Sequence, residues 1–403
     1  MKGLILASAQ VLFVLLWLHA AEAKSHVSAD LLIGSDECLK IPTVLSDRQV
    51  TSDVDLLVYA LEHAYAGRNY VQANLFAQAL RKLTLISGIM SPEELKDKID
   101  EILWTIPDNH MEAHLNYKCS PLRQSNRRNG DAGANAINSN SKVWQVRMDR
   151  RDDLSILYVS IRHFSPPGKA VWHGFLPEIK KKLSSSQLLV LDLRGNTGGD
   201  DRMGLKLAKI CFGNKLNTAY ARTIRSQTPE TFALTANYFR RLQLSYELSG
   251  KKAPNNLNKK YEHFLQKMHR SENAHQVDEK VEAEVTKNYE FNATKGYDKP
   301  IYILMDGATA SASESIIDTF EFQPNTKKVG RNTCGANHYG DCGELLLPNS
   351  KVEVAIPTAH RDYKDKRFIE RIGIKPDLQV AKGQDAYSVA IEDYKKQALL
   401  PIR

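Results

Sequence analysis

The segment Pro300–Phe322, PIYILMDGATASASESIIDTFEF, starts as an apolar run and turns at Asp306-Gly307. It then sets out Ser311, Ser313 and Ser315 at alternate positions around Glu314. A continuous apolar run that breaks at glycine before a helical pattern reads as a buried strand entering a helix. SASE, with Ser311 followed three residues later by Glu314, fits a capping box. The same position suits a nucleophile. A serine at a helix N-terminus lies beside main-chain N–H groups that can hold an oxyanion, and that of Ala312 is the natural donor here. On this motif alone both readings stand.

A second buried strand precedes it. Leu188–Gly199, LLVLDLRGNTGG, breaks at Gly195 and is followed by the helical pattern DRMGLKLAKICFG. Gly198 and Gly199 allow a tight turn with exposed N–H groups, a candidate second oxyanion donor. The spacing differs from a phosphate-binding Walker loop and lacks its lysine. Two buried strands, each followed by a turn and a helix, imply an α/β core with a largely parallel sheet. Chemistry in such sheets gathers at the carboxyl ends of the strands, where both breaks fall.

Outward from this core the texture changes. Residues 24–120 carry helical stripes and read as a small N-terminal helical bundle. Ser91, Pro92 and Glu94 open one helix as N-cap, N1 and N3. Residues 121–142, rich in Asn, Ser and Gly, read as a linker. Residues 143–403 form the core, with a charged helical insertion at 219–297 that is either a lid or a peripheral decoration. Residues 1–23 have a basic start, an apolar run and the small-residue site AEA, the pattern of a cleaved signal peptide. The expectation is an exported chain, periplasmic or secreted, with no stable membrane span after cleavage.

The net charge of +8 is spread along the 403 residues and is not interleaved with aromatics, which argues against nucleic acid. The five cysteines contain no CxxC pair to suggest zinc. Cys334 and Cys342 could close a small loop, Cys38 and Cys119 could tie the N-terminal region, and Cys211 reads as a buried thiol.

The pair LLVLDLRGNTGG and PIYILMDGATASASE, followed by VGRNTCG and IERIGIKPDLQV, resembles the C-terminal processing, or tail-specific, serine peptidases. The resemblance covers Val143 to Val380 apart from the insertion. It implies a crotonase/Clp-protease-like core, protein or peptide substrates, and no metal or organic cofactor. It places the nucleophile at Ser311 and the oxyanion hole at Ala312 with Gly198 or Gly199. No PDZ module of the kind many relatives carry is visible. Where the lysine-dependent members are expected to carry their lysine, this chain has Ala336. It is more similar to the branch that includes tricorn and the chlamydial protease-like factor, which uses serine, histidine and glutamate. There the resemblance implies His110, in IPDNHMEAHL, as general base and Glu370, in FIERIG, as its carboxylate partner.

Alternatives follow from residue types. His163 and His338 are rival bases, Asp377 and Asp192 rival carboxylates, and Ser313 and Ser315 rival nucleophiles. His114, four residues after His110, would share a helical face with it in a metal-like spacing. The functional expectation is a serine endopeptidase acting through an acyl-enzyme. The alternative is an inactive member of the family that serves as a binding protein.

Overall fold

The two apolar runs at the centre of the sequence become neighbouring strands. Strand β4, Leu188–Asp192, and strand β6, Ile301–Met305, are fully buried and pair in parallel, with Leu189 opposite Ile301 and Asp192 opposite Leu304. Strands buried on both faces need an unbroken apolar sequence, which both have. The glycine loop and the serine turn therefore leave the same end of adjacent strands. A computed structural model carries this description for residues 26–34, 41–115, 143–164, 171–213, 216, 221–273, 296–321, 323 and 325–398. The expected leader at 1–23, the linker at 121–142, Cys38 and Cys119 lie outside them.

In chain order the helices are α1 (Asp47–Ala64), α2 (Ala73–Thr84), α3 (Pro92–Leu103), α4 (Phe175–Leu183), α5 (Arg202–Phe212), α6 (Pro229–Leu248), α7 (Asn255–Asn273), α8 (Ala312–Glu321) and α9 (Ala386–Ala398). The remaining strands are β1 (Glu112–Leu115), β2 (Trp144–Arg151), β3 (Leu154–Ile161), β5 (Ala221–Arg225), β7 (Thr326–Gly330), β8 (Tyr339–Leu346), β9 (Val352–Tyr363) and β10 (Leu378–Gln379).

The main sheet runs β10-β7-β6-β4-β3-β2, parallel except for β2. One face packs on α4, α5 and α8 through residues such as Phe175, Leu207 and Ile316; the other packs on α9 through Tyr387 and Ala390. The chain is thus a mixed α/β protein. Helix α3 starts as its sequence indicates: Glu94 N–H donates to Ser91 Oγ, and Ser91 N–H donates to Glu94.

A second sheet is built on β9, which pairs antiparallel with β1, β5 and β8. Two consequences follow. The N-terminal helices do form, but they share one apolar core with α6, β8 and β9 and do not stand alone as a bundle. Their apolar stripes are covered by the sheet, which a helical period by itself does not reveal. The 219–297 segment is also not wholly helical. Its first part, β5, adds an edge strand to β9, and α6 is clamped to the sheet by the buried Arg241 beside Glu344 and Glu353. Among the described residues no helix is long and apolar enough to cross a membrane.

Candidate active site

Asp306 organises the serine turn. Its Oδ1 accepts from the N–H groups of Gly195 (3.0 Å), Ala308 (3.0 Å) and Thr309 (3.1 Å), so the ends of β4 and β6 are tied through one carboxylate. Thr309 Oγ1 donates to the Leu193 carbonyl at 3.0 Å. The next residues bring Ser311 into a left-handed backbone conformation, φ +55°. Such a geometry costs a non-glycine residue about 1–2 kcal/mol and persists only where its surroundings impose it. Here the Asn196 carbonyl accepts from Ala310 N–H and Ser313 Oγ, both at 3.0 Å, while Ser311 N–H donates to Glu314 Oε2 at 3.0 Å.

Only half of the expected capping box is therefore reciprocal. Glu314 reaches back to Ser311 N–H, but Ser311 Oγ points elsewhere. Glu314 is completely buried and also accepts from Thr333 Oγ1, Gly335 N–H and Ala336 N–H. Burial raises its carboxyl pKa against these donors.

The glycine loop lies against the serine. A Cβ on Gly198, whose φ is +105°, would sit 2.8 Å from both the Ala310 carbonyl and Ser311 Cβ. Gly198 N–H is already donated to Asn196 Oδ1 at 3.0 Å, and its carbonyl accepts from Phe164 N–H. Asn196, fully buried, is the joint between the two turns. Sequence reasoning passed over it because it reads as one polar residue in a glycine loop.

His110 comes from 201 residues earlier, and its Nε2 lies 3.0 Å from Ser311 Oγ. It sits at the entrance to β1. The pairing of Glu112 with Ala355 across β9 fixes where this segment meets the core. Glu370 is 1% exposed. Its oxygens accept from Asn109 N–H (2.7 Å) and His338 N–H (3.1 Å). Asp108, missed in the sequence although only two residues from His110, is also buried and accepts from His110 N–H at 2.8 Å. One ring nitrogen of His110 and one oxygen each of Asp108 and Glu370 fall within 4.8 Å of one another. Burial, then the neighbouring Asp108 charge, pushes the Glu370 carboxyl well up, and burial pushes Asp108 up to about 7.

The rival residues are placed differently. His338 Nε2 accepts from Ile369 N–H and its Nδ1 faces the Arg361 carbonyl; burial lowers its pKa to about 4. His163 is buried beside the glycine loop, next to Phe164, which bridges to Gly199. Ser315 Oγ donates to Asn337 Oδ1. Asp377 accepts from Lys328 N–H and Asp192 from Tyr158 and Arg194. His114 lies on β1, where it pairs with Glu112, so the helical face that would have joined it to His110 does not form. Asp108, His110 and Glu370 have the residue types of a cation site, but main-chain N–H groups and Ser311 already engage them. Ala336 is fully buried, while Lys327 pairs with Asp393 and Lys328 with Glu321 and Asp377. No bond joins Cys334 to Cys342, so the small loop is not closed by a disulfide, and Cys211 is a buried thiol.

The profile described as Peptidase family S41 matches residues 155–380. No curated protein matches the chain. Among solved structures it is similar to mature CPAF complexed with lactacystin, at 12% identity over 87% of this chain and 98% of that one, TM-score 0.56. A second structure of mature CPAF is similar at 13% identity over 87% and 95%, TM-score 0.52. A putative peptidase from Parabacteroides merdae ATCC 43184 is similar at 15% identity over 88% and 98%, TM-score 0.50. At these identities the structural likeness concerns the fold alone.

Proposed function

The chain belongs to peptidase family S41 and is a serine-type peptidase; from that premise we propose that it hydrolyses peptide bonds through Ser311, with His110 as general base. The observation that carries this reading is the 3.0 Å approach of His110 Nε2 to Ser311 Oγ, which lies within the reach that proton transfer needs. His110 takes the Ser311 proton as Oγ attacks the substrate carbonyl. The oxyanion is held by Ala312 N–H and Gly199 N–H, because Gly198 N–H is committed to Asn196. His110 then protonates the leaving amine, and water releases the acyl group by the reverse proton path.

Glu370 supports the imidazole from a buried position, and Asp108 stands beside it. The burial of Ala336 and the ion pairs of Lys327 and Lys328 support histidine over lysine as the base. His110 lies outside the segment matched by the family profile, so the base comes from a part of the chain that the profile does not cover. The leader-like 1–23 segment supports export, with hydrolysis taking place in the periplasm or outside the cell.

Labelling with a fluorophosphonate probe tests the reading. The wild-type chain takes up one probe at Ser311, and Ser311→Ala and His110→Ala lose that label. An unlabelled wild type that is folded and processed refutes hydrolysis and leaves the binding-protein alternative.

A further inference from the structure

We infer that Arg371 is a positioning residue that holds the base-bearing segment Trp104–His110 in register with Ser311. The inference rests on His110 being the base and adds the residue that sets where it stands. Arg371 follows Glu370, in a left-handed backbone conformation with φ +59°. Its N–H donates to the Gly335 carbonyl at 2.8 Å, on the same loop whose N–H groups hold Glu314. That loop admits nothing larger than glycine at 335: a Cβ there would meet the Ile369 carbonyl at 2.3 Å. The backbone of Arg371 is thus fixed to the serine half of the site.

Its side chain reaches the other half. Nη1 donates to the Trp104 carbonyl at 2.8 Å, Nη2 to the Ile106 carbonyl at 2.6 Å and the Asp108 carbonyl at 3.4 Å, and Nε to Asn109 Oδ1 at 3.2 Å. The guanidinium also stacks over the Trp104 ring at 4.0 Å. Only a planar fork with several donors can address so many acceptors at once; a lysine ammonium has one charged centre and cannot span them. Asn109 completes the dock with its N–H on Glu370 and its amide on the Gly335 carbonyl at 2.8 Å. His110 is the next residue. The segment before it is thus held by Glu370 and Arg371, and the segment after it by β1.

A plainer role is available. Trp104 caps the C-terminus of α3, where a cation satisfies orphan carbonyls and opposes the helix dipole. A helix cap alone contributes to stability and leaves the chemistry of the folded protein unchanged. A positioning role sets how often His110 meets Ser311.

The experiment measures fluorophosphonate labelling of folded Arg371→Ala and Arg371→Lys, together with amide hydrogen exchange at Asn109 and His110. Displacing a base by about 1 Å costs about 100-fold in rate. Arg371→Ala is therefore expected to label about 100-fold more slowly and to regain part of the rate with added guanidinium ion. In a peptide assay the loss falls on kcat more than on KM. Arg371→Lys keeps the charge at the helix end, melts close to wild type and is still impaired. Both variants exchange the Asn109 and His110 amides faster. If Arg371→Ala does not fold, Arg371→Lys carries the test alone. Wild-type labelling rate and wild-type exchange in Arg371→Lys overturn the inference and leave a helix cap. If the wild type itself takes no label, the catalytic reading fails separately, and amide exchange still decides whether Arg371 holds the segment.

Discussion

Gly198 and Ser311 lie so close that the glycine has no room for a side chain: a Cβ would fall 2.8 Å from Ser311 Cβ and 3.0 Å from Ala312 N. With φ at +105°, Gly198 is also in a backbone region that other residues avoid. Gly198→Ala is expected to destabilise the chain by roughly 2 kcal/mol, through steric and conformational strain together. The displaced turn should slow probe labelling by about 100-fold. Denaturant unfolding and labelling rate read the two effects separately. Normal labelling in this variant contradicts the close approach.

Ser311 itself should be a site where stability and activity oppose each other. Replacing it by glycine removes the left-handed strain, and Ser311→Gly is expected to gain roughly 1 kcal/mol of stability while losing all labelling. Ser311→Ala loses labelling without that gain, because alanine keeps the strain. Equal unfolding midpoints for the two variants argue that the turn is not strained.

Glu314 ties the start of α8 to the loop at 333–336: it accepts three hydrogen bonds from the loop and a fourth from Ser311 N–H. Glu314→Gln puts an NH2 group among donors and removes the charge they converge on. A loss of about 3 kcal/mol is expected, as for other buried charges whose partners are left behind. A loss below about 1 kcal/mol would mean that the loop re-forms around the amide.

Asp318 and Asp108 give the stability a pH dependence of definite sign. Burial raises each carboxyl from its ordinary 3.8 to about 7. Between these values the native chain keeps protons that the unfolded chain releases. Their contribution is fully present below about pH 4 and is lost as pH rises through about 7. Asp318 is hydrogen-bonded to Asn337 and Tyr363, so Asp318→Asn tests it without touching His110 or Ser311. The variant is expected to unfold with a shallower pH slope between about 4 and 7. An unchanged slope means that Asp318 is already ionised throughout that window.

The strands at 188–192 and 301–305 were legible because a strand buried on both faces must be apolar throughout, and their glycine breaks marked where the chain turns. The α3 cap was legible because Ser91 and Glu94 satisfy each other within one turn. Strand β5 was hidden inside a charged, helix-rich stretch, since an edge strand with one partner needs little apolar sequence. The shared core of the N-terminal helices was hidden for a related reason. An apolar stripe records that a face is covered and does not record what covers it.

The same division holds at the site. Ser311, Ala312 and the glycines are set by local rules of strand, turn and helix start, so the sequence alone marked them. Asp108, Asn196 and Arg371 carry no local signature. Their importance comes from contacts across large sequence separations: Arg371 on the Trp104–Asn109 segment, and Asn196 on Ala310 and Ser313. Whether His110 meets Ser311 is decided by the pairing of β1 with β9 and by the docking of Asn109 on Glu370. A hydrogen bond between residues 201 apart is a property of how the sheets pack, and only the tertiary structure could decide it.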